Sequence, residues 1–214
     1  MPARPSQAPA TRRGDARRRI LEAAASVIAA RGVRQLRIED VAQEAGISNA
    51  LLYYHFGDRA GLVRAALQHA NEQAPSMLDA VADGAPGGMR ARLVAALLAE
   101  LDDDPAVRNN SVVWNEISAS AIFDPALREP LARVTDDWNA KVVRAIEAAV
   151  ADGSARAHGG AADAAEYLTS VVEGLSLRWL AGTMTLERAR EHLATALAHA
   201  LPPADAAAPG ADAS

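Results

Sequence analysis

Apolar side chains recur along this chain mostly three and four positions apart, and no stretch alternates residue by residue, so the pattern predicts helices and no sheet. The clearest case spans Ile38 to Phe56. Ile38, Val41, Ala42 and Ala45 fall at i, i+3, i+4 and i+7, the inner face of a short helix. Gly46 follows and can take the positive φ that stops a helix at low cost. Ile47 fills the corner, and Ser48 is a good N-cap for a second short helix, in which Leu52 and Phe56, four apart, point inward. Ala42 is small where the two helices must cross closely. Asn49, Ala50, Tyr53 and Tyr54 are left facing away from the core.

The other elements follow from the same periodicity. Ile20, Ala24, Val27 and Ile28 stripe a first helix from Asp15 or Ala16 to Arg31, with Asp15 as cap and Gly32 as stop. After the turn at Gly57-Asp58, a fourth helix runs from Arg59 to about Ala74, with Leu62, Val63, Ala66 and Leu67 inward. Residues 84–88 (Gly-Ala-Pro-Gly-Gly) predict a break before a helix over Met89–Leu101. Asp102-Asp103-Asp104-Pro105 opens the next helix, which ends near Ala119 to Ile122. Asp124-Pro125 starts another element, which Pro130 is expected to kink or restart before it runs through Trp138 to Ala151. Ala165, Leu168, Val172, Leu175 and Trp179 share one face of a helix over 161–181, and its Gly174 is expected to mark the close approach of another helix. A last helix, Leu186 to Ala200, follows Thr185. Residues 1–13 and 202–214 are low in large apolar groups and are expected to be disordered tails.

Charge changes the picture. The net charge of −5 argues against a nucleic-acid partner, but its distribution reverses that reading. Residues 1–70 carry 11 arginines against 6 acids, a net of +5, and residues 71–214 carry −10. A positive, phosphate-facing module on an acidic body is implied. A helix that turns an amide, phenols and small residues outward, propped by a second helix, is suited to a major groove. An ordinary corner between two helices has the same spacing, and the basic module favours the DNA reading. Asn49 is the candidate for a base edge, and Ser48, Tyr53, His55 and Arg59 are candidates for phosphate. Arg4, Arg12 and Arg13 could add contacts as a basic arm.

Other chemistry finds little support. Cysteine is absent, so there is no disulfide framework, thiol nucleophile or cysteine metal site. His55, His69, His158, His192 and His199 form no ligand motif, and the triple aspartate suits a helix cap better than a metal. No Ser/His/Asp order or phosphate loop points to catalysis, so no enzyme activity, metal or cofactor is expected. The alternative, an enzyme or carrier that merely retains a helical corner, leaves the basic module unexplained. Arg17-Arg18-Arg19 ahead of an apolar stretch imitates a signal peptide, but Glu22, Ser26 and Arg31 interrupt it. No run approaches the roughly 20 apolar residues that span a bilayer, so a cytoplasmic protein without membrane contact is expected.

From Arg17 to Leu67 the chain resembles the DNA-binding domain of the TetR (tetracycline-repressor-like) family of transcriptional regulators. The matching residues are Ile20-Leu21-Glu22-Ala23-Ala24, Gly32, Ile38-Glu39-Asp40-Val41-Ala42, Ala45-Gly46-Ile47-Ser48, Leu52-Tyr53-Tyr54-His55-Phe56, Arg59 and Leu62. The resemblance implies an all-α fold: a three-helix helix-turn-helix DNA-binding domain over 14–74 and a helical effector-binding and dimerisation domain over 75–201. The sequence departs from the family pattern at Arg37, where a capping Thr or Ser is usual, at Leu51, and at Arg59, where Lys is usual. Arg37 joins Ser48, Asn49, Ala50, Tyr53, Tyr54, His55 and Arg59 as the DNA-facing set. The implied partners are double-stranded DNA with a palindromic operator, a second copy joined through the last two helices, and a small-molecule effector. Trp114, Phe123, Trp138, Tyr167 and Trp179 are the aromatic candidates for the effector pocket, with Asn115, Glu116, Asp137 or Asn139 as polar fixtures. A repressor released by its effector is the expected mode, with an activator or an effector-independent regulator as the alternative.

Overall fold

A computed structural model describes residues 9–82 and 88–205. Among the described residues the elements are helical: α1 (Pro9–Arg31), α2 (Ile38–Ala45), α3 (Asn49–Phe56), α4 (Arg59–Ala82), α5 (Gly88–Ala99), α6 (Pro105–Ala121), α7 (Arg128–Ala151), α8 (Ala161–Leu180) and α9 (Leu186–Ala200), with 3-10 turns at Val33–Gln35 and Pro125–Leu127. The all-α expectation holds, and α2, α3 and α9 keep their predicted bounds closely.

Four expectations need correction. α1 begins at Pro9, so residues 9–13 belong to a helix, and Asp15 lies inside α1 instead of capping it. Proline suits a first helical position, and the alanines and arginines that follow favour helix. α4 continues past Ala74 to Ala82. Pro130 neither kinks nor restarts α7, because it is the third residue of that helix, where the backbone N–H has no helical partner to lose. The expected C-terminal tail is fastened at its start: Arg156 N–H donates to Pro202 O at 3.0 Å, and Ala155 bridges to Pro203. The predicted break at 84–88 lies outside the described residues except for Gly88, which opens α5 at φ 77°.

The chain forms two compact units. The first joins the residues through Ala70 to Val112–Leu131, and the second joins Asn71–Ser111 to the chain from Ala132 onward. The second half of α6 therefore belongs with the N-terminal helices, whereas the sequence assigns all of α6 to the C-terminal domain. In the first unit Ile20, Ala24, Ile28, Val41, Leu52, Leu62 and Leu67 are buried. In the second, the predicted α8 stripe of Ala165, Leu168, Val172, Leu175 and Trp179 is buried together with Ala189, Leu193 and Leu197 of α9.

Side chains close the helix ends of the second unit. Asp104 Oδ1 accepts Ala106 N–H at 2.9 Å, and Asp102 pairs with Arg190 at 3.3 Å, so the triple aspartate serves the start of α6 and its link to α9. Asp152 Oδ2 and Ser154 Oγ accept Met89 and Arg90 N–H at 2.8 and 3.0 Å, capping α5 from the end of α7. Hydrogen bonds from the Ser154 side chain, Met89 N–H and Ser154 N–H hold the Asp152 carboxyl below its ordinary range.

Glu100, just past α5, is part-buried, and loss of water pushes its pKa from 4.5 to about 7. Its folded pKa lies above its unfolded one, so the folded state keeps a proton that the unfolded chain releases, and stability falls as pH rises from about 4.5 to about 7. Glu100→Gln should remove that pH dependence and stabilise the chain on the order of 1–3 kcal/mol at pH 8 relative to pH 4.5. Urea unfolding of both proteins at the two pH values is the check, and equal shifts at both would refute it.

Candidate nucleic-acid interface

The turn between α2 and α3 forms as the sequence predicts. Gly46 takes the left-handed conformation (φ 63°, ψ 42°), its N–H donates to the carbonyls of Ala42 and Gln43, and Ile47 N–H reaches Ala42 O at 3.0 Å. Arg19 of α1 donates to Ala45 O, covering another carbonyl at the end of α2. Ser48 caps α3, its Oγ accepting Leu51 N–H at 3.3 Å.

α3 buries one side chain fully, Leu52. Phe56 is half-buried with the Arg17 guanidinium 5.8 Å from its ring centre. Asn49 and Ala50 are exposed, as are Tyr53 at 47% and Tyr54 at 66%, so the outward face has the composition read from the sequence. His55 is half-buried, edge-on to Tyr54 at 5.5 Å, a packing residue more than a reaching one.

Arg59 departs from expectation. Its Nε donates to Leu36 O at 2.9 Å and an Nη donates to Val33 O, so its guanidinium ties the start of α4 to the segment before α2. This internal tether, which the sequence reading of Arg59 as a phosphate contact did not foresee, uses Nε and one Nη of an exposed side chain. Arg37 precedes α2 in extended conformation and makes no side-chain cap. Arg31, Arg34, Gln35, Leu36, Arg37 and Asp40 line a cleft of about 540 Å³. Arg31 is paired with Asp40 at 2.9 Å, while Arg34 and Arg37 are exposed. Glu116 of α6 accepts Val33 N–H at 2.9 Å. Sequence reasoning missed Arg34, and took Glu116 for a polar fixture of the effector pocket. The first was visible only as one charge among eleven arginines, and the second lies 83 positions from its partner, with no local signal.

The effector candidates scatter. Trp138 and Trp179 are buried in the second unit, and the Arg108 guanidinium stands 5.4 Å from the Trp179 ring centre. Trp114 is part-buried in the first unit. Phe123, 87% exposed at the end of α6, and Tyr167, 47% exposed on α8, stand outside either core. Within one chain these two rings are open to solvent. Among the described residues no cluster of three His, Asp or Glu side chains could hold a metal, and no helix is long and apolar enough to cross a membrane.

A short capped helix that is anchored by one leucine and turns an amide and two phenols to solvent suits a DNA groove, and the class it defines is the helix-turn-helix regulators. Comparison with known proteins agrees. Residues 20–66 match the bacterial regulatory proteins of the tetR family, and residues 89–202 match the C-terminal region of BetI-type transcriptional repressors. A solved TetR-family regulator from Rhodococcus sp. is 43% identical, covering 87% of this chain and 98% of its own, at a TM-score of 0.80. A regulator from Saccharomonospora viridis, solved in complex with choline, is 29% identical over 88% of this chain and 98% of its own, with a TM-score of 0.73. The regulator BetI of Burkholderia mallei is 29% identical over 174 residues, 80% of this chain and 83% of its own length. The chain belongs to the tetR family. It is a DNA-binding transcriptional regulator, of a family that is not enzymatic.

Arg59→Ala should destabilise the protein by about 1–3 kcal/mol, since two carbonyls lose a charged donor. The urea midpoint measures this, and an unchanged midpoint would mean that the tether contributes nothing.

Proposed function

We propose that this regulator is a homodimeric repressor whose two α3 helices read a palindromic operator, and that a small quaternary ammonium compound releases it. The observation that carries the reading is the outward face of α3. On it, Asn49 reads a base edge in the major groove, Ala50 permits close approach, and Tyr53 and Tyr54 border it. The Ser48 hydroxyl and the Arg37 guanidinium meet phosphates. Repression is supported by the match of residues 89–202 to BetI-type repressors.

The dimer reading rests on α8. Tyr167, Gly174 and Leu177 stand exposed at spacings of seven and three along one side of the helix. A Cβ built on Gly174 would meet nothing within 4 Å in the chain itself. The sequence expectation that Gly174 admits a close helix therefore needs a second copy to supply it, with α9 beside α8 completing a four-helix bundle.

Choline is the first effector to test, because a relative 29% identical holds it. Quaternary ammonium groups bind aromatic faces without hydrogen bonds, and the Trp179 ring already faces a cation in Arg108. Release requires choline to bind better to the conformation that misfits the operator, a coupling of typically 1–3 kcal/mol, or about 5- to 150-fold.

Selection from random duplex DNA at about 0.1 M salt should return an inverted repeat with half-sites about one helical turn or slightly more apart. Asn49→Ala should then weaken operator binding by about 1–3 kcal/mol and relax the choice of one base per half-site. Saturating choline should weaken binding at least about fivefold; no change would remove it as effector and leave the reader intact. Leu177→Glu should shift the protein from dimer to monomer in sedimentation, and a dimer that survives the charge would place the interface elsewhere.

A further inference from the structure

The segment Gly32–Arg37 is held from two sides. Val33 and Leu36 are buried as pegs, while Arg34, Gln35 and Arg37 are exposed. Arg59 takes the carbonyls of Val33 and Leu36, and Glu116 takes the N–H of Val33. Gly32 adopts φ 78°, which disfavours any side chain, and a Cβ there would lie 2.8 Å from Glu116 Oε2 and oblige that carboxylate to shift. The exposed arginines of the segment line the cleft described above. Asp40 neutralises Arg31, whereas Arg34 and Arg37 have no ion-pair partner among the described residues. In a helix-turn-helix the first helix of the pair crosses the DNA backbone, and Arg37 stands immediately before that helix.

We infer that Glu116 is a positioning residue for DNA binding: by holding Val33 it sets the place of Arg34 and Arg37, which grip backbone phosphates beside the groove that α3 enters. The inference rests on the reader role of α3 proposed above and adds Arg34 and Glu116 to it. Glu116 touches no DNA and acts through one backbone N–H. What it supplies is an acceptor at a fixed point, and an amide oxygen can supply that as well as a carboxylate. The DNA-binding half is then incomplete without a residue of α6, a helix whose first residues, 105–111, belong to the other unit.

The test uses the full-length protein and the operator duplex recovered by selection, with affinity measured across a salt series and the thermal midpoint as a folding control. Glu116→Ala should weaken binding roughly tenfold and lower the slope of log K against log salt by about one to two, the share of two phosphate contacts. Its base preference should not change. Glu116→Gln should stay within about twofold of the parent, since it keeps the acceptor. Arg34→Ala, an exposed change that folding tolerates, should lower the slope by about one, and combining it with Glu116→Ala should cost less than the two losses added. An unchanged slope in Arg34→Ala would overturn the inference whether or not Glu116→Ala folds, and so would a Glu116→Gln protein as weak as Glu116→Ala. If the parent selects no sequence, the reader role of α3 fails; if it selects one and Glu116→Ala keeps the parent slope, only the present inference fails.

Discussion

α3 has eight residues, and helices shorter than about 12–15 residues are marginal in water by themselves. Its existence depends on what holds it, and the hold is narrow: Leu52 fully buried, Phe56 half-buried, and Ser48 closing its first turn. A wider apolar stripe would steady the helix and consume the face proposed to meet DNA. The surrounding design compensates from outside. Gly46 turns the chain tightly, Ala42 and Ala45 give α2 small side chains on its buried face, and Arg19 closes the carbonyl end of α2 from α1.

The legible parts of the chain were those decided within about eight residues. The stripes of α2 and α8, the glycine stop at Gly46 and the cap at Ser48 are all local, and each stands where periodicity placed it. The outward set Asn49, Ala50, Tyr53 and Tyr54 followed by subtraction. What escaped was set by partners distant in sequence. Arg59 looked like a phosphate ligand because its place in a helix start suits an anion, yet two carbonyls more than twenty positions earlier claim its guanidinium. The loose end predicted from Pro202 is pinned by backbone groups at residues 155 and 156. Aromatic identity was a poor guide to burial in the second half: Trp138 and Trp179 lie in a core, whereas Phe123 and Tyr167 face outward.

The division of charge also has a structural counterpart. Within the arginine-rich residues 1–70, Arg19 and Arg59 give their guanidinium groups to internal carbonyls. The acids of the second half are partly spent on helix ends, at Asp104 and Asp152.

The division of α6 between the two units bears on the order in which the chain can fold. A ribosome releases the N-terminal helices first, and domains usually complete themselves as they emerge. Here the first unit cannot do so, because it includes residues 112–131 and the carboxylate that satisfies Val33 N–H arrives with Glu116. Until then that N–H answers only to water, and the nascent DNA-binding half stays unfinished. A chain cut short ahead of α6 carries all of α3, yet on a support whose Val33 N–H has lost its acceptor.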